Sequence, residues 1–94
     1  MTIKKLTAMP YAQAHIEIDT DKNINLFSYV TLVASITNDG WLTVYGLHSA
    51  TTRRHISAFV KEYTDKLTYS DAKAAYEGNY SINIYTGEIA ELSE

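Results

Sequence analysis

Between Ala14 and Tyr63 the apolar residues change their spacing once, from every second position to every third or fourth, and this change constrains the fold most. In "AHIEID", Ala14, Ile16 and Ile18 alternate with His15, Glu17 and Asp19, the pattern of a strand with one wet face. Asp19 to Asn23 supply polar turn residues. The next run, Ile24 to Ile36, is β-branched and aromatic. It sets Val30, Leu32, Ala34 and Ile36 on one face and Phe27, Tyr29, Thr31 and Val33 on the other. Apolar character on both faces predicts one long central strand. The Asp39-Gly40 pair then breaks the run, so Ile36 and Leu42 bracket a second hairpin. After Gly46 the spacing changes: Ile56, Phe59, Val60 and Tyr63 fall at i, i+3, i+4 and i+7, which predicts an amphipathic helix laid across the sheet.

"YSDAKAAYEGN" reads as a short helix capped by Ser70 or Asp71 and stopped by Gly78. "YSINIYTGEIAEL" alternates again, with Thr86-Gly87 as a turn and a weak last strand. Pro10 separates a leading segment containing Leu6 and Met9 from the first strand. The predicted fold is α+β, one domain over residues 1–94. A three-stranded antiparallel meander packs against one amphipathic helix, and a short helix and a C-terminal strand or hairpin follow.

At 46% hydrophobic and 20% charged residues the chain has an ordinary globular composition. The absence of cysteine excludes a disulfide, a thiolate nucleophile and a cysteine zinc site, and it fits a reducing compartment such as the cytoplasm. No signal-like segment and no apolar run of about 18 residues appears, so neither export nor membrane insertion is expected. The formal charge is -3 and unevenly spread. Asp71, Glu77, Glu88, Glu91 and Glu94 face only Lys73 in the C-terminal segment, so a basic partner is expected to meet that end and an anionic partner the rest. Eight tyrosines outnumber the other aromatics. Tyrosine suits surfaces that are intermittently covered, and Tyr76, Tyr80 and Tyr85 with Glu88, Glu91 and Glu94 form a candidate acidic and aromatic interface. Half-burial around a small core is the plainer explanation of the tyrosines.

The helix start, "HSATTRRH", is chemically unusual. The N-terminus of a helix carries partial positive charge and unpaired amides, so each arginine there is disfavoured by about 0.3 to 1 kcal/mol. Ser49, Thr51 and Thr52 offer caps, yet Arg53 and Arg54 follow at once with His55 beside them. Amides, hydroxyls and guanidinium groups meeting at one place would make a pocket for phosphate or a carboxylate, with Ser49, Thr51, Thr52, Arg53, Arg54 and His55 as its residues. The plainer alternative pairs one arginine with Glu17, Asp19 or the acidic C-terminal segment and leaves the other solvated. The arginines are about 100° apart on the helix, so at least one points outward. His15, His48, His55 and Glu17 lack the spacing of a metal site, and no nucleophile elbow or phosphate loop is present. No cofactor, metal or catalytic residue is expected. Nor does the sheet read as a DNA-binding surface, because residues 14–18, 26–36 and 41–46 contain no lysine or arginine.

From Phe27 to Tyr63 the chain resembles a family of short proteins encoded by tailed phages and prophages of Gram-positive bacteria. The resemblance rests on Ser28, Tyr29, Thr31 and Val33 of "FSYVTLVA" and on Ser49, Thr51, Thr52, Arg54, His55, Ile56 and Phe59 of "SATTRRHISAF". It implies a phage accessory protein acting in the cytoplasm of the bacterial host. Small acidic phage proteins rich in tyrosine are similar to inhibitors of host defence, anti-CRISPR proteins among them, which cover a functional surface of their target. The leading expectation is therefore a non-enzymatic protein that binds and inhibits a host protein such as a defence nuclease. The alternatives are a nucleic-acid or phosphate binder using the basic helix start, and a phage structural or assembly protein that forms a homo-oligomer through strand edges.

Overall fold

Strands form wherever the period-two pattern runs, including a C-terminal hairpin, and pairing extends beyond it in the leading segment. The computed structural model describes residues 1–92. Among these residues, seven strands make one antiparallel sheet in sequence order: β1 (Thr2–Lys4), β2 (Ala14–Ile18), β3 (Ile24–Ser28), β4 (Thr31–Ile36), β5 (Trp41–Val44), β6 (Tyr80–Asn83) and β7 (Ile89–Glu91). Between β5 and β6 the chain forms α1 (Ala50–Tyr63), which packs on β3 and β4, and α2 (Tyr69–Gly78), which packs on β5 and β6. The class is α+β, but the sheet is far wider than the expected three-stranded meander.

Cross-strand register explains how so short a chain builds a core. Ile18, Ile24, Ile36, Leu42, Ile82 and Ile89 are successive partners from β2 to β7, an apolar row running across the sheet. Leu26, Ala34 and Val44 lie in the neighbouring row, and Ile56, Phe59, Val60, Ala72 and Ala75 close over them from the helices. Leu6 is fully buried, and the backbone amide of Thr7 beside it donates to the Glu62 carboxylate at 2.7 Å, tying the leading segment to α1.

The expected single strand from Ile24 to Ile36 is in fact two. Tyr29 and Val30 form the turn, with Tyr29 in the left-handed region at φ 57° and its amide donating to the Gln13 carbonyl at 2.7 Å. A tyrosine seldom adopts that conformation, so no residue type announced the turn. A bulge follows: Leu26 faces Ala34 while Phe27 faces Leu32, leaving Val33 as the extra residue. Val33 and Ala34 are both buried, whereas Leu32 and Val30 are exposed, so the expected stripe of Val30, Leu32, Ala34 and Ile36 is broken in the middle.

Other boundaries also move. The leading segment forms β1, an edge strand exposed throughout and therefore without a hydrophobic signature. α2 is capped by Thr68 instead of Ser70 or Asp71. Asp71 sits one turn in, where its carboxylate accepts from the Thr68 amide at 2.7 Å. The helix ends at Asn79, which takes the left-handed conformation expected of Gly78. The β4–β5 hairpin forms as expected, with Ile36 opposite Leu42 and Gly40 at φ 94°. The Tyr85 ring lies so close to Gly40 that a Cβ there would strike it.

Phe59 is fully buried at the centre of the helix–sheet contact. Its replacement by alanine is expected to cost about 3–5 kcal/mol in urea denaturation. Val30→Ala at the exposed turn should change stability by no more than about 0.5 kcal/mol in the same measurement.

Candidate functional site

The start of α1 is built by hydroxyls. Ser49 is the N-cap, and its Oγ accepts from the Thr52 amide at 3.1 Å. Helical spacing then sends Thr52, His55, Ile56, Phe59 and Val60 toward the sheet. Below them Ser28 Oγ lies 2.8 Å from His55 Nδ1 and 3.3 Å from Thr52 Oγ1, while the Ser49 hydroxyl donates to Thr52 Oγ1 at 3.2 Å. Directed from Ser49 to Thr52 to Ser28 to His55, this chain gives every hydroxyl proton an acceptor and ends on the Nδ1 of a neutral imidazole. Burial lowers the pKa of His55 below its ordinary 6.5, consistent with that direction.

The six residues expected to form an anion pocket therefore do not converge. Thr52 and His55 are buried and bonded to Ser28, Ser49 is occupied as the cap, and Thr51 is half-buried. Arg53 and Arg54 are both exposed. Among the described residues neither arginine pairs with an acid. Glu17 instead bonds His15 at 2.8 Å, and the His15 ring stacks on Phe27 with centroids 5.0 Å apart. The Asp19 carboxylate accepts from the Asp21 and Asn23 amides within its own turn, and the Asn23 amide is the main cause of its lowered pKa.

The Ser28–His55 bond fixes what surrounds those arginines. Ser28 and Tyr29 stand at the tip of the β3–β4 hairpin, and the Tyr29 ring lies 6.3 Å from that of His55. Tyr29 is bonded to Gln13, just beyond Tyr11, and the Tyr45 amide donates to the Val33 carbonyl at 2.7 Å. One end of the sheet thus carries Tyr11, Tyr29, Val30 and Tyr45, which are 97%, 56%, 91% and 49% exposed, together with Arg53 and Arg54. The opposite end carries the turns holding Asp19, Asp21, Asp39 and Glu88.

The acidic and aromatic set is spread out instead of gathered. Tyr76 is exposed on α2, and Tyr80 is half-buried with its ring against Gly78. Glu91 faces Tyr80 at one end of the β6–β7 ladder, while Tyr85 and Glu88 lie in the connecting turn at the other. Glu94 lies outside the described residues. Sequence reasoning missed Tyr11 and Val30 as surface residues and Ser28 as the partner of His55. The helical stripe could have placed His55 inward, since it stands one turn before Phe59 and one turn after Thr52.

A family model described as a family of unknown function (DUF8033) matches residues 2–78. That span covers β1 to α2 and leaves β6 and β7 outside it. No curated protein and no solved structure matches the chain. No helix among the described residues is long and apolar enough to cross a membrane.

His55 makes stability depend on pH in a definite direction. Its folded pKa lies below the unfolded value of 6.5, so its contribution is complete above 6.5 and is lost as the pH falls through 6.5 toward the folded pKa. Denaturation midpoints taken from neutral pH downward should fall accordingly. A His55→Gln variant should be less stable at neutral pH and show a shallower decline, and an unchanged decline would assign the effect to other groups.

Proposed function

Because the chain belongs to that family of unknown function, which brings no activity with it, we propose that it is a non-enzymatic protein-binding domain. Its binding surface is the end of the sheet carrying Tyr11, Tyr29, Val30, Tyr45, Arg53 and Arg54. The observation that carries this reading is the joint exposure at that end of tyrosines and of arginines that pair with no acid among the described residues, held together by the Ser28–His55 bond. Tyrosine and arginine are the side chains that most often dominate binding energy at protein interfaces. The hydroxyl–imidazole pair of Ser28 and His55 supports a structural role over nucleophilic catalysis, because the two residues are only 3% and 1% exposed. The open cleft of about 470 Å³ between α1 and α2, lined by Val60, Lys61, Thr64, Leu67 and Tyr69 among others, shares no residue with that pair.

The resemblance of Phe27 to Tyr63 to tailed-phage proteins supports a partner in the bacterial host, and an inhibitor that covers a working surface of a defence nuclease fits this chemistry. The guanidinium groups favour an acidic patch on that partner. The version in which Glu88 and Glu91 imitate nucleic acid has less support, because the two lie at opposite ends of the β6–β7 hairpin. A second reading, binding of nucleic acid through phosphate, is favoured by the outward course of Arg53 and Arg54.

Retention of host-lysate components on immobilised protein, with nuclease treatment in parallel, separates the two. Binding to a protein should survive nuclease and be lost on Arg53→Glu with Arg54→Glu. Tyr29→Ala should weaken it by about 2 kcal/mol or more. Recovery of nucleic acid alone, with an affinity that falls steeply as salt rises, would instead establish the phosphate reading.

A further inference from the structure

The two edges of the sheet carry complementary charge in matching register, and from this we infer that a second copy of the chain adds its β1 to β7. β1 and β7 are the outer strands, and every residue of both is exposed. Seven strands in antiparallel succession place the first and last in the same direction. A neighbour in the same orientation therefore meets β7 with a parallel β1, helices on the same side.

The cross-strand rows continue through that junction. Thr2 of β1 and Ile89 of β7 are the two ends of the row of Ile18, Ile24, Ile36, Leu42 and Ile82. Two residues further on, Lys4 ends the row of Ile16, Leu26, Ala34 and Val44, and Glu91, opposite Tyr80, stands level with that row at the other edge. A copy docked in continuous register sets Thr2 beside Ile89, Ile3 beside Ala90 and Lys4 beside Glu91. Lys5 adds positive charge next to Lys4. Glu91 has no ion-pair partner among the described residues, and Lys4 Nζ only lies 5.9 Å above the Tyr63 ring.

Symmetric pairing is disfavoured by the same charges. β1 against β1 gathers Lys4 and Lys5 of both copies, and β7 against β7 gathers Glu88 and Glu91. The contact is consequently head-to-tail, which gives a ring if the rotation between copies closes and a filament if it does not. Three residues per edge make few backbone hydrogen bonds, so association should be weak and concentration-dependent.

Lys4→Glu and Glu91→Lys, both exposed substitutions, form a charge-swap test by sedimentation equilibrium, with circular dichroism confirming each fold. Wild type should associate with rising concentration and dissociate as ionic strength rises from about 0.01 M to 1 M. Each variant alone should stay monomeric, and an equimolar mixture should regain association. Zero-length cross-linking of isotopically distinct wild-type copies should join Lys4 or Lys5 to Glu91 between copies, which needs no variant to fold. Wild type that is monomeric at every concentration, variants that associate as well as wild type, or intermolecular links confined to other residues would overturn the inference. Stronger association of Lys4→Glu alone would also overturn it, assigning the lysine to keeping edges apart.

Discussion

The bond between Ser28 and His55 is the interaction on which the rest of the basic end depends. It joins the last residue of β3 to the second turn of α1 where water cannot replace either partner. A buried hydroxyl left without its partner costs roughly 1–3 kcal/mol, so the pair specifies where the helix begins over the sheet more strictly than apolar packing does. Apolar side chains such as Ile56 and Phe59 tolerate small shifts along the helix axis. A serine, a threonine and an imidazole linked in sequence do not.

That anchoring determines what remains outside. Once Thr52 and His55 turn inward, the residues between them must point away, and these are Arg53 and Arg54. The hairpin tip that supplies Ser28 also sets Tyr29 and Val30 in solvent beside them. The turn uses a tyrosine in the left-handed region, and the helix start carries cations where the macrodipole disfavours them. The left-handed conformation is not particular to that end, since Lys22 in the β2–β3 turn also adopts it at φ 69°, so the cationic helix start is the departure from local preference that sets this end apart. Departures of this kind gather where a protein interacts, because stability alone would remove them. Charge follows the same division, with arginines at one end, aspartates in the turns of the other, and lysine and glutamate on opposite edges.

Much of the architecture was legible in the amino-acid sequence. Alternation in β2 and β5, the Asp39-Gly40 turn and the stripe of Ile56, Phe59, Val60 and Tyr63 were all readable, because each element buries a regular face against one neighbour. β1 was not, since an edge strand exposed on all sides needs no pattern. The Tyr29–Val30 turn was hidden for the opposite reason: it lies within a run whose β-branched and aromatic residues, such as Phe27, Leu32 and Val33, continue on both sides, and the turn itself contains neither glycine nor asparagine. The bulge at Val33 could not be read either, because an extra residue in a β-branched run leaves no mark until the partner strand shows which position is skipped. At the helix start the sequence grouped Ser49 to His55 as one pocket, but the structure sends these residues to different sides. Adjacency along the chain suggested convergence, whereas a helix sends neighbours to different faces.

What the sequence determined by itself was the α+β class, the order of its principal elements and the presence of an unusual helix start, since all of these follow from local spacing and residue chemistry. Only the tertiary structure decided that His55 belongs to Ser28, that Arg53 and Arg54 stay exposed once Thr52 and His55 turn inward, and that Lys4 and Glu91 terminate opposite edges in register. Those pairings join residues far apart in the chain, and their geometry is set by sheet register and by the seating of α1 on the sheet.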